Sequence, residues 1–306
     1  MYMSRKFWII SGVVLLVLGA AAAILYWKFW PALKPALQPA TQDIVQIIEE
    51  TPPEHLLSPQ ETVGFPLRLP ERSTIEVFAK DLGKVRVLQQ DPSGVLLASL
   101  PDQGRIVALP DSDADGKADK VMEVVTGLQR PHGFAFICDK ACHLYVAETN
   151  QVAVFDYDMR RMVASNKRVL MDLPQGGRHW TRTLAVGPEG KLYVSTGSSC
   201  DTCVEEDERR AAIYSFDPDG SNFTKYASGL RNAVFFDWHP ATDQMWATEM
   251  GRDFLGDDLP PDEVNIVEGG ENYGWPYCYG KQVHDTTFDD SDEARRLCAL
   301  SRPSHI

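Results

Sequence analysis

Four stretches of the chain repeat one pattern about fifty residues apart: VLQQDPSGVLLAS from Val87, FAFICDKACHLYVAE from Phe134, LAVGPEGKLYVST from Leu184 and VFFDWHPATDQMWATE from Val234. Each joins two apolar runs through a turn, and a third run follows: GRIVALPD, VAVFDYD, AAIYSFDPDG or DEVNIVEGG. A unit of this size cannot bury its apolar faces alone, so neighbouring units must stack. Recurrence at roughly 40 to 50 residues with about four strands per unit is the pattern of propeller blades. A sandwich would alternate strands without that period. The expected fold is therefore all-β, a β-propeller with about four blades present, with the strand TIEVFAK at Thr74 as a partner for the far end of the ring. After Pro276 the recurrence stops, and the tail YCYGKQVHDTTFDDSDEARRLCALSRPSHI reads as polar and irregular, without another strand pair. A chain ending in such a loop reads as a C-terminally incomplete ring.

Ahead of the repeats lies an uncharged run, FWIISGVVLLVLGAAAAILYW at 7–27, preceded by Arg5 and Lys6 and followed by Lys28. It is long enough to span a bilayer as a helix, and it continues past its Ala-rich stretch, which favours an uncleaved anchor over a cleaved signal. Lys28 and Lys34 on the other flank leave the charge bias modest, so orientation rests on the cysteines. The six cysteines fall as close neighbours, Cys138 with Cys142, Cys200 with Cys203, and Cys278 with Cys298. Three disulfides would mark an oxidising compartment. A zinc or thioredoxin-like site at Cys200 and Cys203 is the rival reading, but it lacks a second CxxC and a βαβ context. The domain plan is a cytoplasmic N-terminus at 1–6, an anchor at 7–27, a Pro-rich linker at 28–64 with a short amphipathic helix at 43–50, and the propeller at 65–306. A formal charge of -13 without a basic stripe argues against a nucleic-acid partner.

The chemistry concentrates in residues 229–276. There an Arg231–Asn232 pair opens a strand, and a second strand ends in Glu249, Gly251 and Arg252. Asp257, Asp258, Asp262 and Glu263 then lead into a Gly-Glu-Asn-Tyr-Gly-Trp turn. A guanidinium fork beside hard oxygen donors suits an anionic ligand held with a calcium ion, and a decorated polar turn is the alternative. His179 precedes the inner strand of the third unit, where a propeller commonly binds ligands, and imidazole is suited to take a proton near neutral pH, although an exposed loop histidine is the plainer reading of the residues alone. His132 holds the equivalent place one unit earlier, so one of the two is a positional echo. PDSDADGKADK at 110–120 sets Asp111, Asp113, Asp115 and Asp119 around Gly116, as calcium loops do, although Met122 stands where a bidentate acid would close the site, and an acidic solvated turn is the alternative. No GxSxG, HExxH, GxGxxG or P-loop pattern stands out.

GGRHWTRTLAVGPEGKLYVSTGSSC, DPDGSNFTKYASGLRN and GRDFLGDDLPPDEVNIVEGGENYGWP, taken together and in this order, resemble the glucose/sorbosone dehydrogenase family, closest to its membrane-anchored sorbosone branch. The resemblance runs from about Pro66 to the C-terminus. It implies a six-bladed propeller that uses pyrroloquinoline quinone (PQQ) and Ca²⁺ to oxidise an aldose or a sorbosone-like aldosulose. His179 would be the base at the C1 hydroxyl, with Arg231 and Asn232 beside the developing oxyanion. His179, Arg231, Asn232, Gly251 and Arg252 would hold the cofactor, the last two through their carbonyls on calcium, with Asp262 and Glu263 among the metal-binding residues. Two departures stand out: Arg252 replaces a proline ahead of a longer loop to the acidic cluster, and the later blades with their further basic residues are absent from this sequence. The anchor and the cysteines together point to a single-pass protein of the bacterial inner membrane with its catalytic domain in the periplasm, and the resemblance implies a small sugar as substrate and a quinone or cytochrome as electron acceptor. The competing classes are a noncatalytic, calcium-stabilised propeller that binds a glycan or a protein, and a calcium-dependent lactonase.

Overall fold

The structure, a computed structural model, describes residues 73–305. The apolar run at 7–27, the spacer and the helix expected at 43–50 lie outside the described residues. Among the described residues no helix is long and apolar enough to cross a membrane. Contacts divide the chain into Glu76–Arg252 with Pro260–Ile306, which holds every strand described below, and Met1–Ile75 with Asp253–Leu259.

The repeats become sheets. Strands β1 (Leu88–Gln90), β2 (Leu96–Leu100), β3 (Arg105–Leu109) and β4 (Met122–Val125) form the first antiparallel meander. The second is β5 (Phe134–Cys138), β6 (Cys142–Glu148), β7 (Gln151–Asp158) and β8 (Val163–Asp172). The third is β9 (Leu184–Val186), β10 (Leu192–Thr196), β11 (Ala212–Phe216) and β12 (Thr224–Ser228). The fourth has three strands, β13 (Ala233–Trp238), β14 (Met245–Glu249) and β15 (Glu263–Val267). The turns form because a residue before proline donates across the loop: Asp91 N to Val95 O and Gly187 N to Lys191 O, both at 2.8 Å.

Apolar clusters between successive sheets hold this four-blade, propeller-like array. Leu97, Ile106 and Val124 of the first sheet meet Phe134, Leu144 and Phe155 of the second. Tyr145 and Val152 meet Leu192 and Phe216, and Tyr193 and Ile213 meet Phe236 and Met245. A buried polar contact adds direction to the first interface, because Tyr157 Oη donates to Asp91 Oδ2 at 2.8 Å while Asp91 Oδ1 accepts from Ser93 N and Val95 N. Near the inner strands the backbones come so close that a Cβ on Gly133 would lie 2.3 Å from Leu184 N.

Two sequence expectations change. TIEVFAK forms no strand: the backbone near Phe78 bonds instead to the loop before β4, Ala118 N donating to Phe78 O at 2.8 Å, and Phe78, Ala79 and Leu82 pack on the free face of the first sheet. The tail does hold a strand pair, β16 (Cys278–Tyr279) with β17 (Val283–His284), and a helix α1 (Asp292–Leu300) whose start is capped by Ser291 Oγ accepting from Ala294 N at 3.1 Å. Its polarity concealed the pair because each strand spans only two residues. Cys278–Cys298 links hairpin to helix, Cys138–Cys142 crosses the β5–β6 turn, and Cys200–Cys203 closes a short loop after β10. Both sulfurs of the CxxC are thus bonded to each other, which removes the zinc reading.

Gly133→Ala should lower stability by about 1–3 kcal/mol, because the new methyl meets backbone that cannot swing aside. A thermal melt showing an unchanged midpoint would contradict this account of how the second and third sheets approach.

Candidate functional site

The segment that follows β10 carries the site. Ser198 N donates to Arg231 O at 2.7 Å, and Ser198 O accepts from His179 N at 3.3 Å, so one residue joins the approach to β9 with the approach to β13. Gly197 permits this, since a Cβ there would lie 2.5 Å from His179 Cβ and 2.6 Å from Asn232 Oδ1. His179 and Asn232, far apart in sequence, therefore flank one glycine. Arg182, wholly buried, staples the stretch that carries His179 by donating to Pro174 O and Thr181 O at 2.7 Å and to His179 O at 3.2 Å.

Hydrogen bonding assigns the His179 tautomer. Its Nδ1 lies 3.1 Å from Ser198 O and 2.9 Å from Ser198 Oγ. The Ser198 hydroxyl gives its one hydrogen to Cys200 O at 2.7 Å, so toward the imidazole it can only accept. Nδ1 therefore carries the proton and Nε2 the lone pair. Burial, then the charge of Arg231, lowers the His179 pKa to about 4. The ring is a neutral base at physiological pH.

Arg231 is 2 % exposed. Its Nε donates to Asp201 O at 2.9 Å, Nη2 to Asp201 Oδ1 at 2.7 Å, and Nη1 to Met250 O at 3.0 Å and Gly251 O at 2.7 Å. The Gly251 carbonyl expected to face calcium thus already accepts from a guanidinium. The Arg252 side chain bonds Asp285 Oδ2 at 2.5 Å and lies 3.6 Å from Asp201 Oδ2, an alternating row of two arginines and two aspartates. Asn232 Oδ1 accepts from Thr181 Oγ1 at 3.4 Å.

Below this row, Glu249 and Glu263 stand opposite each other in the β14–β15 register. Burial raises the pKa of both, and like charge adds to it, from Glu263 at Glu249 and from Asp262 at Glu263. Glu249 Oε1 accepts from Asn232 N at 2.9 Å, whereas its buried Oε2 has no partner among the described residues. A cavity of about 20 Å³ opens there, lined by Arg231, Glu249, Gly251, Glu263, Tyr273 and Asp285. It admits one water-sized occupant, and an orphaned carboxylate oxygen beside a second carboxylate fits a hard cation. Asp262 turns elsewhere, its Oδ1 accepting from Gly251 N at 2.9 Å. Asp257 and Asp258 belong to the other unit.

The acidic loop at 110–120 brings Asp111, Asp113 and Asp115 together, with their carboxylate oxygens within 4.8 Å of one another. Asp119 stands apart from that trio and accepts from Ser112 N at 2.9 Å. His132, fully buried, packs against Trp180 and Phe235 at ring distances of 5.7 and 5.5 Å, and burial lowers its pKa to about 3. Sequence reasoning missed Ser198, Asp201 and Asp285 as parts of the site, and it named Glu249 only as the end of a strand. Nothing in CDTC or in the tail marks Asp201 or Asp285.

A family model described as TrAA12-like matches residues 69–296. An uncharacterised protein of Borreliella burgdorferi is 26% identical over 243 residues, covering 74% of this chain and 61% of that protein. One of Synechocystis is 27% identical over 233 residues, covering 60% and 54%. The chain therefore spans less than two thirds of the length of these curated relatives. Among solved structures it is similar to a Trichoderma reesei protein of carbohydrate-active enzyme family AA12, with a TM-score of 0.63 and 21% identity over 75% of this chain and 68% of that one. The PQQ domain of a Coprinopsis cinerea pyranose dehydrogenase, in its holo form, gives 0.64 and 20% over 74% and 65%. The PQQ-bound aldose sugar dehydrogenase of Streptomyces coelicolor gives 0.57 and 24% over 68% and 67%. At these identities the likeness speaks for the fold.

Because the folded pKa of His179 lies below its unfolded value of 6.5, its contribution to stability is complete above 6.5 and is lost as pH falls toward about 4. Thermal melts between pH 7 and 4 should show that loss, and it should shrink in His179→Gln, with His132 keeping its own share. An NMR titration of His179 with a midpoint near 6.5 would contradict the buried, neutral ring.

Proposed function

The chain belongs to the TrAA12-like family, and from that premise we propose that it forms part of a PQQ-dependent sugar dehydrogenase acting at C1 of an aldose or a sorbosone-like aldosulose. The holo Coprinopsis domain and the PQQ-bound Streptomyces enzyme, similar in fold, support this reading. The observation that carries it is His179, a neutral imidazole whose Nδ1 is held by Ser198 and whose Nε2 lone pair is left for a substrate proton.

When bound, the quinone supplies the acceptor for the hydride that leaves C1. His179 Nε2 would remove the proton of the C1 hydroxyl, so the sugar loses a hydride from C1 and a proton from oxygen to separate acceptors. Asn232, on the other side of Gly197, stands beside the same space. Arg231 contributes its charge, which acts on His179, while its hydrogen bonds run to Asp201, Met250 and Gly251. Preorganised positive charge of this kind lowers the energy of a developing oxyanion. Glu249 and Glu263 would hold calcium in the small cavity, where the ion would offset their mutual repulsion. The apolar run at 7–27 and the disulfides support the membrane-anchored, sorbosone-type branch, with the propeller in the periplasm and a quinone or cytochrome as electron acceptor.

The test is dye reduction by the full protein with PQQ, calcium and a panel of aldoses. His179→Ala should lose about 10²- to 10⁴-fold in kcat, the usual contribution of a positioned base, while still binding the quinone. Normal turnover by that variant would remove His179 from the chemistry. A noncatalytic, glycan-binding propeller is the second reading, favoured by the engagement of Arg231 with the protein itself. It predicts no saturable absorbance change on titration with PQQ.

Calcium should raise the melting temperature, the stabilisation reaching about 2.7 kcal/mol at a hundredfold excess over Kd. Chelation should reverse the rise, and Glu249→Gln should shrink it. An equal rise in the variant would move the ion to the acidic loop.

A further inference from the structure

The loop closed by Cys200–Cys203 touches both residues on which the proposed reaction depends. Asp201 lies inside it and grips Arg231 at two points, through its backbone carbonyl at 2.9 Å and its Oδ1 at 2.7 Å. Its Oδ2 lies 3.6 Å from Arg252 Nε, and Trp275 Nε1 donates to its carbonyl at 3.3 Å. On the other flank, Cys200 O takes the hydroxyl hydrogen of Ser198 and so leaves Ser198 Oγ to accept from His179 Nδ1. Just outside the loop, Glu205 anchors Ser199, accepting from its N at 2.6 Å and its Oγ at 2.7 Å.

We propose that Asp201 is the positioning residue of this site, and that the Cys200–Cys203 disulfide holds Asp201 and the Cys200 carbonyl in register so that one closed loop sets both Arg231 and His179. The inference rests on the reading that these two residues carry the reaction. A buried guanidinium needs a fixed counter-charge, and Asp201 supplies a carboxylate bonded to it. A loop this short is a good carrier of that charge because the disulfide removes conformations it would otherwise sample. The hydrogen bond from Ser198 to Cys200 O couples the same loop to the His179 tautomer. Moving the loop would therefore disturb the base and the guanidinium together.

The test compares Asp201→Asn, Asp201→Glu and Cys200→Ser/Cys203→Ser with the control Cys138→Ser/Cys142→Ser, in the full chain. Two readouts are needed: kcat and KM with PQQ and sugar, and the His179 tautomer from ring ¹⁵N NMR of the protein without quinone. Asp201→Asn should lower kcat about 100-fold with KM little changed, the loss expected from a small misplacement felt in the transition state. Asp201→Glu should recover part of it. The loop double variant should turn a single Nδ1–H tautomer into a mixture, whereas the control should not. Wild-type kcat and an unchanged tautomer in both loop variants would overturn the proposal. So would equal losses in loop and control variants that track the melting temperature. If no variant nor the parent protein turns over any sugar, yet the tautomer shifts only in the loop variant, the sugar-dehydrogenase reading fails and the positioning role stands.

Discussion

A guanidinium that is 2 % exposed has to be met by negative charge and by carbonyl oxygens, because water no longer solvates it. Around Arg231 that requirement recruits the Cys200–Cys203 loop through Asp201, the end of β14 through Met250 and Gly251, and, by way of Arg252, the C-terminal tail through Asp285. The result is a charge row in which each arginine touches an aspartate. His179 feels that row directly, since the Arg231 charge adds to burial in keeping the ring neutral. The site's protonation state thus follows first from burial and then from the neighbouring guanidinium.

The sheets make this accommodation possible by bringing distant segments to one place. Inter-sheet clusters such as Leu97, Leu144 and Phe155 fix the angular position of each blade, and the glycine contacts at Gly133 and Gly197 let inner segments approach closely enough for Ser198 to bond both neighbours. Apolar packing of this kind is tolerant of identity but not of volume, which suits a scaffold whose repeats differ in sequence. The polar exceptions, such as Tyr157 on Asp91, tie a turn of one sheet to a strand of the next. The paired carboxylates Glu249 and Glu263 are costly in such surroundings, and the small cavity beside them gives a cation somewhere to sit.

Much of this architecture is legible in the sequence. The period of about fifty residues located the first strands, with starts expected at Val87, Phe134, Leu184 and Val234 and found at Leu88, Phe134, Leu184 and Ala233. Hydrophobic alternation and proline-containing turns are local properties, so a repeat of them is visible in one dimension. Close cysteine neighbours likewise bond as spacing suggested. Where a polar segment folds by long-range contact, local pattern misleads: TIEVFAK has strand composition but meets a loop, and the tail lacks strand composition yet forms a hairpin and a helix.

By itself, then, the sequence determined the repeat, the sheet class, the disulfide pairs and the short list headed by His179, Arg231 and Asn232. Tertiary structure alone decided which groups surround them. That Asp201 takes the Nη2 bond of Arg231, that Ser198 and not a carboxylate holds Nδ1 of His179, and that Asp285 of the tail completes the row are matters of contact between residues 19 to 33 positions apart. Hydrogen-bond donors and acceptors are chosen by distance and angle in three dimensions, and spacing along a chain records neither.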